Sequence, residues 1–242
     1  MVAAPGAAAI QINKHLSAIT SHHAGHYTNH HTNHHMSEHS LTRPELRFTL
    51  RQQRKAVTRS TARAAADAVA RHLARRIVFK GQRIAVYSAF DGEIDVTPVV
   101  RQAQRAGCVV YVPRIVNMRT RQMAFVELVR QHLAPNNDHH DRPTMREPRS
   151  GLQRRINPRL LDVVLVPLVA FDVHGWRLGF GAGFYDRKFS FRRRQFVHKP
   201  LLIGVGYEFQ RIPPQIPSAW DVLLDAVVTE RGLRQCRTQY SR

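Results

Sequence analysis

Residues 83–113, RIAVYSAFDGEIDVTPVVRQAQRAGCVVYVP, decide the fold. RIAVYS at 83–88 reads as a buried strand, Thr97-Pro98 opens a short helix that Gly107 closes, and CVVYVP at 108–113 reads as the next strand. Near-continuous β-branched runs suit strands covered on both faces, and a helix between them is the crossover that parallel strands require. Within this unit Cys108 reads as a small buried apolar residue rather than a nucleophile.

Outward from this unit, further strand candidates lie at residues 122–128, 162–167, 201–207 and 222–229. Upstream, Thr42-Arg43-Pro44-Glu45 is a capping box with proline in the first turn. It opens a helix through about Ala56 that carries Leu46 and Leu50 one turn apart, with Arg47, Arg51 and Arg54 on another face. A second helix is expected over residues 60–78, with Val69, Leu73 and Ile77 at intervals of four. The polar, proline-containing segment 135–159 reads as a long surface loop. Together these imply an α/β domain over residues 41–242: an open, largely parallel sheet with flanking helices, three-layered and Rossmann-like.

Residues 1–40 differ in kind. They hold nine of the chain's fifteen histidines, irregularly spaced among small and polar residues, and read as a disordered tail. Met36 stands just before the first structural signal, so translation is expected to begin there or at Met1. That tail contains one Lys and one Glu, so the whole net charge of +20 belongs to residues 41–242. Such a surface attracts polyanions: nucleic acid, phosphorylated metabolites or acidic lipid. The longest apolar runs fall far short of the roughly 20 residues of a membrane-spanning helix. Two isolated cysteines exclude a disulfide scaffold and point to a reducing, cytoplasmic compartment.

The chemistry concentrates at residues 166–188, VPLVAFDVHGWRLGFGAGFYDRK. Gly175, Gly179, Gly181 and Gly183 crowd nine positions after a strand, and glycines at alternate positions let backbone N–H groups converge on a phosphate. Arg177 and the start of a following helix add positive potential. The spacing is neither Gly-x-Gly-x-x-Gly nor a P-loop, so composition alone leaves a plain turn and a phosphate site equally open. Asp138-His139-His140-Asp141 and the basic run Arg192-Arg193-Arg194 with His198-Lys199 read as solvated loop and turn.

The string Phe171-Asp172-x-x-Gly175-x-Arg177-Leu178-Gly179-x-Gly181-x-Gly183-Phe184-Tyr185-Asp186-Arg187 closely resembles the signature of the 5-formyltetrahydrofolate cyclo-ligase (methenyltetrahydrofolate synthetase) family. Pro44-Glu45-Leu46-Arg47, YSAFDGEID at 87–95, Val112-Pro113, Met123 and Phe125, Glu147-Pro148, IGVGYEFQ at 203–210 and DVLLDAVVTE at 221–230 look like further family positions in the same order. The resemblance implies ATP- and Mg²⁺-dependent closure of 5-formyltetrahydrofolate to 5,10-methenyltetrahydrofolate with release of ADP and phosphate.

By position, the resemblance implies ATP contacts from Arg43, Arg47, Arg177, Leu178, Gly179, Phe180, Gly181, Ala182, Gly183, Phe184 and Tyr185. Arg47, Ser88, Glu93 and Tyr185 would bind the folate, Arg177 and Tyr185 would act in catalysis, and Asp186 and Asp221 would hold Mg²⁺. Arg43, Ala182 and Trp220 depart from the family pattern, which usually has Lys at the first, Gly or Lys at the second and often His at the third. Arg51 and Arg54 read more readily as a solvated helix face. The implied partners are ATP and a folate, polyglutamated or not, acting on a monomer without a membrane. The competing reading is a basic RNA-binding or ribosome-associated protein on the same fold, although the basic clusters lack interleaved aromatics.

A chain shortened to begin at Met36 is expected to keep its thermal midpoint and its turnover. Loss of either would show that the His-rich segment packs on the domain.

Overall fold

The computed structural model describes residues 42–77, 79–128, 154–193 and 199–236. The expected disordered tail, the 138–141 cluster, most of the 135–159 loop, Arg194 and His198 lie outside the described residues.

One eight-stranded sheet runs in the order β10-β9-β8-β5-β1-β2-β3-β4. Its strands are β1 (Arg83–Ala85), β2 (Val109–Asn117), β3 (Gln122–Glu127), β4 (Arg155–Ile156), β5 (Val163–Pro167), β8 (Leu201–Val205), β9 (Ala226–Thr229) and β10 (Gly232–Gln235). Neighbours from β9 through β8, β5 and β1 to β2 are parallel, in register Ile84↔Val110, Ile84↔Val163, Leu165↔Ile203 and Ile203↔Ala226. Antiparallel β3 and β4 extend one side and β10 the other. A separate two-stranded ribbon pairs β6 (Ala170–Phe171) with β7 (Arg177–Leu178).

The parallel strands are buried because both faces are covered. On one face α2 (Arg59–Ala74) and α3 (Thr97–Arg105) press Ala65, Ala66, Val69, Leu73, Val99, Val100 and Ala103 onto Ile84, Val110, Val163, Leu165 and Ile203. Alanines let the α2 backbone approach closely, and Asp95 Oδ1, just before α3, accepts from Thr97 N and Oγ1 at 2.9 and 2.6 Å. On the other face Phe125, Phe189, Leu224 and the partly buried Tyr185 and Phe191 cover Val164, Val166 and Leu202.

The expected open, largely parallel α/β sheet is present. Several boundaries differ. The second helix ends at Ala74 rather than 78, although Ile77 remains buried. The last parallel strand begins at Ala226 rather than 222, because Leu224 N is drawn off to Gly175 O at 2.9 Å. Within the segment read as surface loop, residues 155–156 form β4 on Phe125 and Val126. Arg192 is no solvated turn residue: its Nη2 donates to both oxygens of Asp225, at 2.5 and 2.6 Å, with the side chain 7% exposed. Lys199 stays largely in solvent, with its Nζ 3.0 Å from Asp162 Oδ1. Both cysteines are free, Cys108 buried as expected. No helix among the described residues is long and apolar enough to cross a membrane.

Chain order fixes where a ligand can sit. From β1 the chain moves outward to β2, then returns to place β5, β8 and β9 on the opposite side of β1. Connections leaving the carboxyl ends of β1 and β5 therefore part in opposite directions and leave a crevice between them. The exit of β5 is held by Gln210, 1% exposed, whose Nε2 donates to Leu168 O at 3.1 Å and Val169 O at 2.8 Å.

Gly175 tests how tightly the β6–β7 ribbon is docked. It has φ +90°, and a Cβ there would lie 2.4 Å from Leu224 O. Gly175→Ala is expected to destabilise the fold by about 3 kcal/mol or more in denaturant titration. Gly107→Ala, with φ +77° but open space around it, should cost only about 1 kcal/mol. Equal losses would show that the ribbon is not tightly docked.

Candidate active site

α1 (Arg43–Lys55) is set over the crevice by one face. Its start is fixed by Glu45, whose carboxylate accepts from Thr42 N and Oγ1 at 2.8 and 2.7 Å. Leu50 packs with Val169, Ala170, Trp176 and Leu178, and Arg47, Arg51 and Arg54 recur at helical spacing beside it. The expectation of a solvated face is thereby corrected for Arg54, whereas Arg51, 42% exposed, stays partly in solvent. Arg54 is 1% exposed, and its guanidinium donates to Asp91 O at 2.8 Å, Asp91 Oδ2 at 2.9 Å and Leu168 O at 3.3 Å. Arg51 Nε donates to Asp91 Oδ2 at 2.7 Å, and Lys55 Nζ lies 3.2 Å from Oδ1.

The loop leaving β1 carries the acid that the resemblance singles out. Phe90 O accepts from Glu93 N at 3.0 Å, and the central residues Asp91 and Gly92 have φ +53° and +77°, the backbone of a type I′ turn. A Cβ on Gly92 would meet Arg54 O at 2.9 Å, so only glycine lets the turn rest on the helix backbone. Burial works to raise the Asp91 carboxyl, but the Arg51 and Lys55 bonds and the Arg51 and Arg54 charges hold it below the usual range.

Glu93 is treated in the opposite way. Its Oε2 accepts from Phe90 N at 3.2 Å, whereas Oε1 is sealed from solvent without a partner among the described residues. Burial pushes its carboxyl up to about 7, against the pull of Arg54. Tyr87, whose hydroxyl donates to Ile94 O at 2.8 Å, and Tyr185 both feel the Glu93 charge, and burial pushes both phenols well up. Ser88 stands exposed nearby and makes no side-chain hydrogen bond among the described residues.

The glycine loop faces this turn. Arg47 Nε donates to Gly179 O at 2.9 Å. A Cβ on Gly181, at φ +98°, would lie 3.8 Å from the Arg47 guanidinium carbon, and Cβ atoms on Gly179 or Gly183 would meet nothing within 4 Å. The loop backbone thus borders open space beside a cation, as a phosphate cradle requires. Partial burial and then the Arg43 charge lower the pKa of Arg47, and Arg43 itself lies over the Trp176 ring at 5.3 Å. The Phe180 ring touches Phe90, centroids 4.8 Å apart, beneath the guanidinium groups of Arg51 and Arg54 at 5.4 and 5.2 Å.

Ala182 and Phe184 are half-buried, while the Leu178 side chain is core and leaves only its backbone beside the cradle. The helix expected to add positive potential, α4 (Phe184–Lys188), is five residues long, too short to align a substantial dipole.

The two acids read as metal ligands stand at neighbouring anchors. Asp186 Oδ1 accepts from Arg177 Nη2 at 2.7 Å and from Val222 N at 3.1 Å, while Arg177 Nη1 donates to Val222 O. Asp221 Oδ2 accepts from Trp176 Nε1 at 3.2 Å and Ser218 N at 2.9 Å. Asp186 Oδ2 and Asp221 Oδ1 carry no hydrogen bond among the described residues, and hard anionic oxygens suit Mg²⁺. Trp220, beside Asp221, is 65% exposed.

Sequence reasoning missed Arg54, Asp91 and the Phe90–Phe180 contact. Two signals were available: the seven-residue step from Arg47 to Arg54, which returns to one helix face, and the Asp-Gly pair, which favours a tight turn.

Because Glu93 is protonated more readily in the folded chain than unfolded, the fold binds the extra proton between the ordinary glutamate range and about 7. Its stability contribution is full below that window and is lost as pH rises through it. Glu93→Gln should therefore gain in thermal midpoint relative to the parent as pH rises through the window and level off above it. A difference independent of pH would show that Glu93 titrates normally.

Comparison with known proteins agrees with this fold. The model of the 5-formyltetrahydrofolate cyclo-ligase family matches residues 39–230. A 5-formyltetrahydrofolate cyclo-ligase of Escherichia coli (strain K12) is 34% identical over 152 residues, spanning 63% of this chain and 80% of its own length. One of Saccharomyces cerevisiae is 29% identical over 172 residues, spanning 62% and 77%. Among solved structures, the Aquifex aeolicus 5,10-methenyltetrahydrofolate synthetase matches with a TM-score of 0.61 at 26% identity, covering 83% of this chain and 94% of that one. The Mycoplasma pneumoniae 5,10-methenyltetrahydrofolate synthetase shares the fold, with a TM-score of 0.61 at 21% identity over 78% of this chain and 99% of that one. With the matched region spanning every strand of the sheet but β10, the arginine-lined helix and the glycine loop, the chain belongs to the 5-formyltetrahydrofolate cyclo-ligase family.

Proposed function

We propose that the chain closes 5-formyltetrahydrofolate to 5,10-methenyltetrahydrofolate at the expense of ATP, in the crevice between the Glu93 turn and the glycine loop. The observation that carries this reading is the Phe90–Phe180 contact at 4.8 Å, which brings a half-buried acid and an open backbone cradle to one cleft. Ring closure needs the formyl oxygen, a poor leaving group, to become a good one. Attack of that oxygen on the γ-phosphate expels ADP. N10 then closes on the activated carbon and loses its proton, and the C–O bond breaks as phosphate departs. Alignment and charge neutralisation are the protein's main contribution.

Arg47 is assigned to the phosphates and, through its place at the cleft, to the folate as well. The backbone from Leu178 to Tyr185 cradles the nucleotide, and Arg43 supplies long-range attraction from the rim. Glu93 receives the polar ring of the folate, with Ser88 as a minor neighbour. Tyr185, kept protonated by burial, keeps a hydroxyl hydrogen to donate. Arg177 fixes the direction of Asp186 and adds positive charge. Asp186 and Asp221 would hold Mg²⁺ through their uncommitted oxygens, and the ion would supply neutralisation of the phosphate charge. We assign the protein to the cytoplasm as a monomer. Its net charge of +20 favours polyglutamated folates, an attraction that weakens with salt.

Purified protein given 5-formyltetrahydrofolate and Mg-ATP is expected to produce the ultraviolet absorption of the methenyl product. No signal above an ATP-free control, with folded protein and several divalent metals tried, would refute the activity. Asp186→Asn and Asp221→Asn are each expected to raise the magnesium requirement about tenfold or more, the defect shrinking at high Mg²⁺. An unchanged magnesium dependence in both would remove the metal assignment while leaving the reaction intact.

A further inference from the structure

We propose that Arg54 is a positioning residue for folate binding, holding the Phe90–Glu93 turn, and with it Glu93, at the mouth of the crevice through Asp91. This rests on the reading of Glu93 as a folate ligand.

Three features of the turn require a fixed partner. Asp91 occupies the left-handed region at φ +53° without being glycine, a conformation that persists only where surroundings hold it. Its carboxylate faces Arg51, Arg54 and Lys55, all from the C-terminal half of α1, and its carbonyl accepts from Arg54 Nε at 2.8 Å. Gly92 rests on the Arg54 carbonyl itself. Arg54 therefore touches the turn with both backbone and side chain, and its remaining fork reaches Leu168 O on the exit of β5.

The contributions of the three cations differ with their exposure. The side chains of Arg51 and Lys55 are 42% and 54% exposed, so water screens their attraction to Asp91. Arg54 is 1% exposed and makes bonds in several directions, which a flexible ammonium cannot reproduce. The Glu93 carboxylate lacks comparable anchorage, since its only hydrogen bond among the described residues is from Phe90 N within the same turn. Its direction is set by the turn, and the turn is set by Arg54. The charged and titratable groups facing Glu93 are Arg54, Asp91, Tyr87 and Tyr185.

The test is a double-mutant cycle read in the Michaelis constants for both substrates. Arg54→Lys keeps the charge and loses the fork, and is expected to raise the KM for 5-formyltetrahydrofolate about tenfold while changing that for ATP much less. Asp91→Asn, close in shape, should give the same folate-specific defect and replaces Arg54→Lys in the cycle if that variant fails to fold. In a Glu93→Gln background either substitution should add less than about twofold, because the group being positioned has already lost its function. Additive effects, or equal shifts in both Michaelis constants, would overturn the positioning role while leaving Glu93 as a ligand. A Glu93→Gln variant with unchanged folate KM would overturn the ligand reading and the positioning proposal together.

Discussion

Arg54 is a full positive charge taken out of water, and the architecture of the cleft depends on how that charge is satisfied. An unpaired buried guanidinium would cost several kcal/mol. Here it is surrounded by Asp91 and by backbone carbonyls from two separate loops. The helix, the loop from β1 and the loop from β5 are thereby referred to one group. Apolar packing by Leu50 brings α1 to the β6–β7 ribbon, but packing alone tolerates small shifts and rotations. Directional bonds from a planar fork do not, and they fix how the Asp91–Gly92 turn sits against α1.

The sheet below supplies rigidity rather than chemistry. Its parallel strands present almost unbroken apolar faces, so functional polar atoms collect where strands end and chain direction changes. Asp172 shows how the ligand loop is supported from behind. At 1% exposure, it accepts from His174 N, Trp176 N and Gln215 N at 2.8, 3.0 and 2.8 Å. The ribbon leading into the glycine loop is pinned at its turn, while Gly179 to Gly183 remain free to adapt around a polyphosphate.

Strands and helices were legible in the sequence because periodicity and β-branched runs are local properties. RIAVYS and CVVYVP became paired neighbours, and Val69, Leu73 and Ile77 became core. The glycine string was legible as a loop, and it lies beside Arg47, whose Nε donates to Gly179 O. What sequence could not supply were contacts between distant segments. Arg54 looks like any helix-surface arginine until α1 is docked over a turn forty residues away. Ribbon β6–β7 and two-residue β4 are too short to carry a period, and they form because partners at Arg211, Leu224 and Phe125 hold them. Arg192 gave no local hint of its buried pairing with Asp225, because that carboxylate lies on a separate segment.

The sheet's two margins bear on how the protein behaves when crowded. Any terminal strand offers unpaired amides and carbonyls to a second chain. Here one margin is a two-residue strand carrying Arg155, and the other a four-residue strand ending in Arg234 and Gln235. Both are too brief and too polar to template an intermolecular ladder. The apolar parallel strands are enclosed between them, and copies of like charge repel one another. A protein with so much buried β-structure is in this way guarded against self-association by its cheapest elements, a few residues at each border.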